Sequence, residues 1–190
     1  ISPSLLPVDP AALGALEIVP VVGFPSGAHT AEAKAFEAAQ AAQNGAHEID
    51  MVVNVGLVRA GDWAGVEGEI RAVREASTGC VLKVILETAA LTDAEIVGSC
   101  RAAEAGGADF VKTSTGFSPA GGATAHAVRL MAQTVGGRLG VKASGGVRTA
   151  EAVRELWAAG ATRFGVSGTA AIHTQWNDAV GAPHSATAGY

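Results

Sequence analysis
Cysteine is almost missing: Cys80 and Cys100 are the only two in 190 residues. They are too few and too poorly spaced for a zinc motif or a disulfide framework, so a reduced cytoplasmic setting is the default. Aromatic residues are scarce at 5%, and 13 basic residues are outnumbered by 18 acidic ones, a net charge of −5. An acidic balance repels a phosphodiester backbone, and no basic run with interleaved aromatics occurs. Nucleic acid is therefore not an expected partner, and any phosphate recognised here is a small one held locally. No apolar stretch is long enough to span a bilayer, so no membrane partner is expected. The opening Ile1-Ser2-Pro3 lacks a starting Met, a charged n-region and a signal-like apolar core, and reads as a fragment or a processed start. The remainder, 48% hydrophobic and 16% charged, suits one compact soluble domain with a real core.

What is abundant is glycine, 25 residues that punctuate an alternation of strand-like and helix-like text. Residues 1 to 16 read as a loop with one helical turn near Asp9-Pro10. Glu17 to Phe24 is a β-branched run closing on Pro25-Ser26-Gly27, and Thr30 to Gln43 is Ala/Glu/Lys-rich and helical until Asn44-Gly45 stops it. Ala46 to Val53 is a strand carrying Asp50, and a helix runs from Gly61-Asp62 to about Ala76. Val81 to Leu86 is a strand carrying Lys83, and Thr92-Asp93-Ala94-Glu95 is a capping box opening a helix to about Ala105. The Lys112 strand follows, then a helix from about Ala123 to Thr134, the strand Leu139 to Ala143 with Lys142, and a helix capped by Thr149. Arg163 to Val166 is the last strand, leading through Ser167-Gly168-Thr169 into a short helix. Small-residue helix ends meet apolar strands at Ala41 to Ala46, Ala102 to Ala108 and Ala158 to Ala161, a repeat of roughly 25 to 35 residues. Continuous apolar strands alternating with helices imply a parallel sheet covered by helices, either doubly wound or closed as a barrel. No Gly-x-Gly-x-x-Gly follows a strand, which weakens the dinucleotide-binding reading.

The odd polar residues separate the two folds. Asp50, Lys83, Lys112 and Lys142 lie within or near the ends of four successive strands, where a barrel would converge them on one site at its C-terminal mouth. A buried lysine costs several kcal/mol unless paired or neutralised. Two on neighbouring strands disfavour each other's protonation, so one of Lys112 and Lys142 becomes a neutral nucleophile able to form a Schiff base with a carbonyl compound. Each lysine could instead pair separately with a carboxylate. Asp50 is either an acid/base group that passes a proton through water or a structural partner for Lys142 or Lys83, and Lys83 reads as a supporting charge. Gly145-Gly146-Val147-Arg148 and Gly165-Val166-Ser167-Gly168 are glycine-rich turns directly before helices, where backbone amides can face a phosphate.

Phe110-Val111-Lys112-Thr113-Ser114-Thr115-Gly116, Val141-Lys142-Ala143-Ser144-Gly145-Gly146-Val147-Arg148, Glu48-Ile49-Asp50-Met51-Val52 and Val22-Gly23-Phe24-Pro25-Ser26-Gly27 resemble the deoxyribose-phosphate aldolase family. The resemblance runs from Ile1 to about Ile172. It implies a parallel (β/α)8 barrel over residues 1–173, lacking its first one to two strands here, followed by a flexible tail over 174–190. The implied reaction interconverts 2-deoxy-D-ribose 5-phosphate with acetaldehyde and glyceraldehyde 3-phosphate, with no metal or other cofactor, and a homodimer is the assembly to test. Lys112 would be the Schiff-base lysine, Lys142 its tuning neighbour and Asp50 the proton-relay carboxylate. Gly145, Gly146, Val147, Arg148, Gly165, Ser167 and Gly168 would cradle the phosphate, with Thr115 and Gly116 lining the substrate site. Phe117 stands where some members carry a basic residue, and Tyr190 is a candidate mobile proton shuttle. The alternatives are a transaldolase-like Schiff-base barrel and a phosphate-binding remnant without turnover.

Overall fold
In a computed structural model, residues 1–181 are described, except for the side chains of Pro10 and residues 177–181. Six strands, β1 (Val21–Val22), β2 (Glu48–Val52), β3 (Val81–Ile85), β4 (Phe110–Lys112), β5 (Gly140–Ser144) and β6 (Arg163–Gly165), form one sheet in sequence order. Every pairing is parallel, so each connection must cross back over the sheet, and helices occupy the crossovers. These are α2 (Ala31–Gln43), α3 (Val55–Ala60), α4 (Trp63–Ala76), α5 (Asp93–Ala105), α6 (Ala125–Val135) and α7 (Ala150–Ala158), while α1 (Pro10–Leu13) precedes β1 and α8 (Thr169–Gly181) follows β6. The closed eight-stranded barrel is thus not what these residues show: six strands are present, and β1 and β6 each have one sheet neighbour.

Strand alternation divides the chemistry between two faces. Ile49, Met51, Leu82, Val84, Val111, Val141 and Ala143 join the helix-facing apolar core, whereas Glu48, Asp50, Lys83, Lys112, Lys142 and Arg163 occupy the positions between them. Side chains of β2 meet side chains of β5 and β6, through Asp50–Lys142 and Glu48–Arg163, which shows that the sheet is curled around its charged face.

Three elements differ from the sequence expectation. The first strand shrinks to Val21–Val22 because Pro20 has no N–H, although its carbonyl still accepts from Asp50 N. The six-residue α3 was missed, being too short for a periodic signal. Asn54 caps it, and Gly61, in the left-handed region, ends it. The last helix continues to Gly181, through the first part of the expected tail at 174–190, because Trp176 stacks on Trp157 at 6.2 Å and Gln175 accepts from Ala150 N. The rest of that tail, with Tyr190, lies outside the described residues.

Helix α2 is the expected Ala/Glu/Lys-rich helix, and its Lys34 is fully buried. It donates to Glu69 Oε2 of α4 at 2.7 Å and to the Val52 carbonyl at 2.8 Å, while Glu69 Oε1 accepts from Asn54 N at 2.7 Å. One ion pair thereby ties two helices to the C-terminal end of β2. Burial lowers the Lys34 pKa and raises that of Glu69, each against the attraction of its partner. Lys34→Met should lower stability by about 3 to 5 kcal/mol near neutral pH, because it strands a buried carboxylate. A group whose folded pKa is raised favours the folded state at low pH. The deficit should therefore shrink as pH falls and Glu69 takes up a proton, which urea denaturation at pH 5 and pH 8 would measure.

Candidate active site
The four polar strand residues picked from the sequence meet at one carboxylate. Parallel register sets Asp50 beside Lys83 and Lys112 beside Lys142, and the curl of the sheet closes the remaining distance. Asp50 Oδ1 accepts from Lys83 Nζ at 2.8 Å, and Oδ2 accepts from both Lys112 Nζ and Lys142 Nζ at 2.7 Å. Below them Lys83 also pairs with Glu48, whose two oxygens accept from Arg163 Nη1 at 2.6 and 2.7 Å.

Four cationic side chains share two carboxylates, and surplus positive charge is costly in a buried cluster. Burial alone would push the Asp50 carboxyl up, but Lys112, Lys142 and Lys83 outweigh it and hold it well below the usual carboxylate range. Asp50 is thus a fixed anion. The Lys142 pKa is lowered as well: burial pushes it down, Asp50 pulls it back up, and Lys112 and Lys83 push it down again, to a net decrease. Lys142 thus gives up a proton more readily than a solvated lysine does.

Lys112 also lines a cavity of about 380 Å³ with Thr115, Gly116, Gly145, Gly146, Val147, Arg148, Gly165 and Ser167, all expected there. Lys142 lies against its wall, its Cε 3.6 Å from where a Cβ on Gly165 would stand, and Lys83 is sealed from solvent. Gly168 is not among the lining residues. The glycine turns are shaped by close approach: a Cβ on Gly122 would lie 2.2 Å from the Gly145 carbonyl oxygen, and Gly145 and Gly146 have φ of +84° and +79°. These turns run into α7 and α8, the kind of junction at which free backbone amides can meet an anion. Arg148 stands exposed at its rim.

Sequence reasoning missed Glu48, Arg163 and Glu87. Glu48 was legible, since residues two apart on a strand share a face and Asp50 was already placed. Arg163 was read only as the start of a strand, and Glu87 only as the end of one. Among the described residues no group of His, Cys, Asp and Glu side chains could hold a metal ion, and no helix is long and apolar enough to cross a membrane. Asp50→Asn should lower stability by about 3 to 5 kcal/mol at neutral pH, leaving buried ammonium groups without their anion. A buried lysine with a depressed pKa favours the folded state as pH rises. Thermal denaturation should therefore show the deficit narrowing toward alkaline pH.

A family model described as DeoC/LacD family aldolase matches residues 10–176. A deoxyribose-phosphate aldolase of Kocuria rhizophila is 59% identical over 173 residues, 90% of this chain and 78% of that protein. One of Nocardia farcinica is 60% identical over 173 residues, 90% and 77%. Among solved structures, the aldolase QR15 superposes with a TM-score of 0.82 at 35% identity, covering 88% of this chain and 77% of its own. The tetrameric deoxyribose phosphate aldolase of Aeropyrum pernix gives 0.79 at 30% identity, covering 86% and 69%. With its cluster of lysines on Asp50 beside a glycine-walled cavity, and with these relatives, the chain belongs to the DeoC/LacD family of aldolases.

Proposed function
We propose that the chain catalyses the reversible cleavage of 2-deoxy-D-ribose 5-phosphate to acetaldehyde and D-glyceraldehyde 3-phosphate through a Schiff base on Lys112. The observation that carries the reading is the position of Lys112, which touches Asp50 and also lines the glycine-walled cavity. In the cleavage direction, Lys112 Nζ passes a proton to Lys142 and then attacks C1 of the open-chain sugar. The carbinolamine loses water to give an iminium ion, which serves as the electron sink. A base removes the C3 hydroxyl proton, the C2–C3 bond breaks, and its electron pair enters an enamine as glyceraldehyde 3-phosphate departs. Protonation at C2 and addition of water then release acetaldehyde and restore the amine.

Lys142 fits the proton-moving role, because its lowered pKa lets it accept and return protons beside Lys112. Asp50 stays anionic, orients both amines and passes protons only through water. Gly145, Gly146, Gly165, Ser167 and Arg148 suit the phosphate end, and Gly168, next to Ser167, would act through the same turn. We also read the six strands as consecutive members of an eight-stranded barrel, supported by the Val21 N–H donating to the Ile1 carbonyl on the outer side of β1. A homodimer is consistent with exposed Leu5, Leu16 and Phe36, and a cytoplasmic location with the free, buried Cys80 and Cys100.

Incubation with acetaldehyde and sodium borohydride should place a single ethyl group on Lys112, read by peptide mass spectrometry, and Lys112→Ala should abolish it. A folded protein that takes up no label would overturn the aldolase reading. Cleavage of a ketose phosphate in preference to deoxyribose 5-phosphate would favour transaldolase-like chemistry.

A further inference from the structure
One buried acidic side chain at the mouth has no part in this mechanism. Glu87 follows β3, is 7% exposed, and is the one non-glycine residue with positive φ among those described, at φ 61° and ψ 52°. A left-handed backbone on a long side chain is unfavourable and persists where its surroundings enforce it. Here the ladder to β4 enforces it. Leu86 N donates to the Lys112 carbonyl at 2.9 Å and Thr88 N to the Thr113 carbonyl at 2.8 Å, so β3 advances two residues while β4 advances one. Glu87 is the extra residue, and such bulges re-aim a side chain.

Its carboxyl group is aimed at Thr115. The Thr115 hydroxyl donates to Glu87 Oε2, and Thr115 N donates to the two carboxyl oxygens at 3.3 and 3.4 Å. The same hydroxyl accepts from Phe117 N at 3.1 Å. Thr115 therefore has its amide and its hydroxyl hydrogen committed to Glu87, and neither is available to a ligand. Thr115 also belongs to two cavities, the one of about 380 Å³ shared with Lys112 and another of about 240 Å³ lined by Pro25, Ser26, Glu87, Phe117 and Ser118. Glu87 lines the smaller cavity and not the larger, so its bond to Thr115 reaches the larger cavity's wall from the other side.

We propose that Glu87 is a positioning residue that clamps the Thr115–Phe117 turn, so that Thr115 and Gly116 hold the wall of the sugar-phosphate cavity. The proposal rests on the aldolase reading for the identity of the ligand. It predicts an effect on phosphorylated-sugar binding and none on amine chemistry, since the Glu87 carboxyl group bonds to Thr115 and the ammonium groups of Lys112 and Lys142 bond to Asp50.

Glu87→Asn separates the clamp from the backbone, because Asn tolerates the left-handed region yet is one methylene too short to reach Thr115. Glu87→Gln keeps the reach and one acceptor. In a Lys112→Ala background, which prevents turnover, calorimetry with 2-deoxyribose 5-phosphate should show Glu87→Asn weakening binding about tenfold, as expected for lost bonds to a buried acceptor. Glu87→Gln should recover most of the loss. With Lys112 intact, the rate of acetaldehyde and borohydride labelling should be the same with and without Glu87→Asn. Equal affinities across the series would overturn the proposal, and so would labelling that falls in parallel with binding and melting temperature, because Glu87 would then be a general support. A parent chain that binds the sugar phosphate but takes no label removes the aldolase reading alone, and the calorimetric comparison still decides the clamp. A parent that does not bind the sugar phosphate overturns both.

Discussion
All three lysines on the inner face of the sheet depend on the Asp50 carboxylate. Lys83 takes one of its oxygens and Lys112 and Lys142 share the other, so removing that single anion would leave three ammonium groups in a desolvated space. Glu48 relieves part of the load by drawing on Lys83 and Arg163. Two carboxylates against four cations still leave an imbalance, and the lowered pKa of Lys142 is where the cluster relaxes it.

The fold makes such a cluster affordable by keeping it apart from the main hydrophobic contacts. Apolar residues at alternate strand positions pack under the helices, and the charged residues between them are enclosed by the curl of the sheet. Glycine-rich turns at the C-terminal ends of β5 and β6 then line the cavity. The lysine cluster and these turns thus come from neighbouring parts of the same strand-to-helix junctions, where sites sit in parallel barrels.

The rim carries a different chemistry. Phe117 is 73% exposed and meets Phe24 edge-on at 5.2 Å, giving one side of the mouth an aromatic surface. Glu87 lies behind that surface, and the Thr115 turn couples the two. Acceptor selectivity would then depend on how firmly the turn is held as much as on which side chain stands at its tip.

Much of this was legible without coordinates. Strand and helix alternation, the Thr92 capping box, the glycine turns and the four polar strand residues are local signals, because they depend on periodicities of two and 3.6 and on which residues tolerate a turn. The convergence of Asp50, Lys83, Lys112 and Lys142 followed from their equivalent places on successive strands. What the tertiary structure alone decided are the pairings with no sequence period. Lys34 reaches Glu69 across 35 residues and Arg163 reaches Glu48 across 115, and neither separation leaves a pattern in the chain. The bulge that turns Glu87 toward Thr115 is equally silent, since it arises from a one-residue slip between two strands of one ladder. The sequence by itself determined which residues could do amine chemistry and where the chain would turn. The curl and register of the sheet decided which ammonium shares which oxygen, because Coulomb interactions in a desolvated interior depend on separations that only the packed backbone sets.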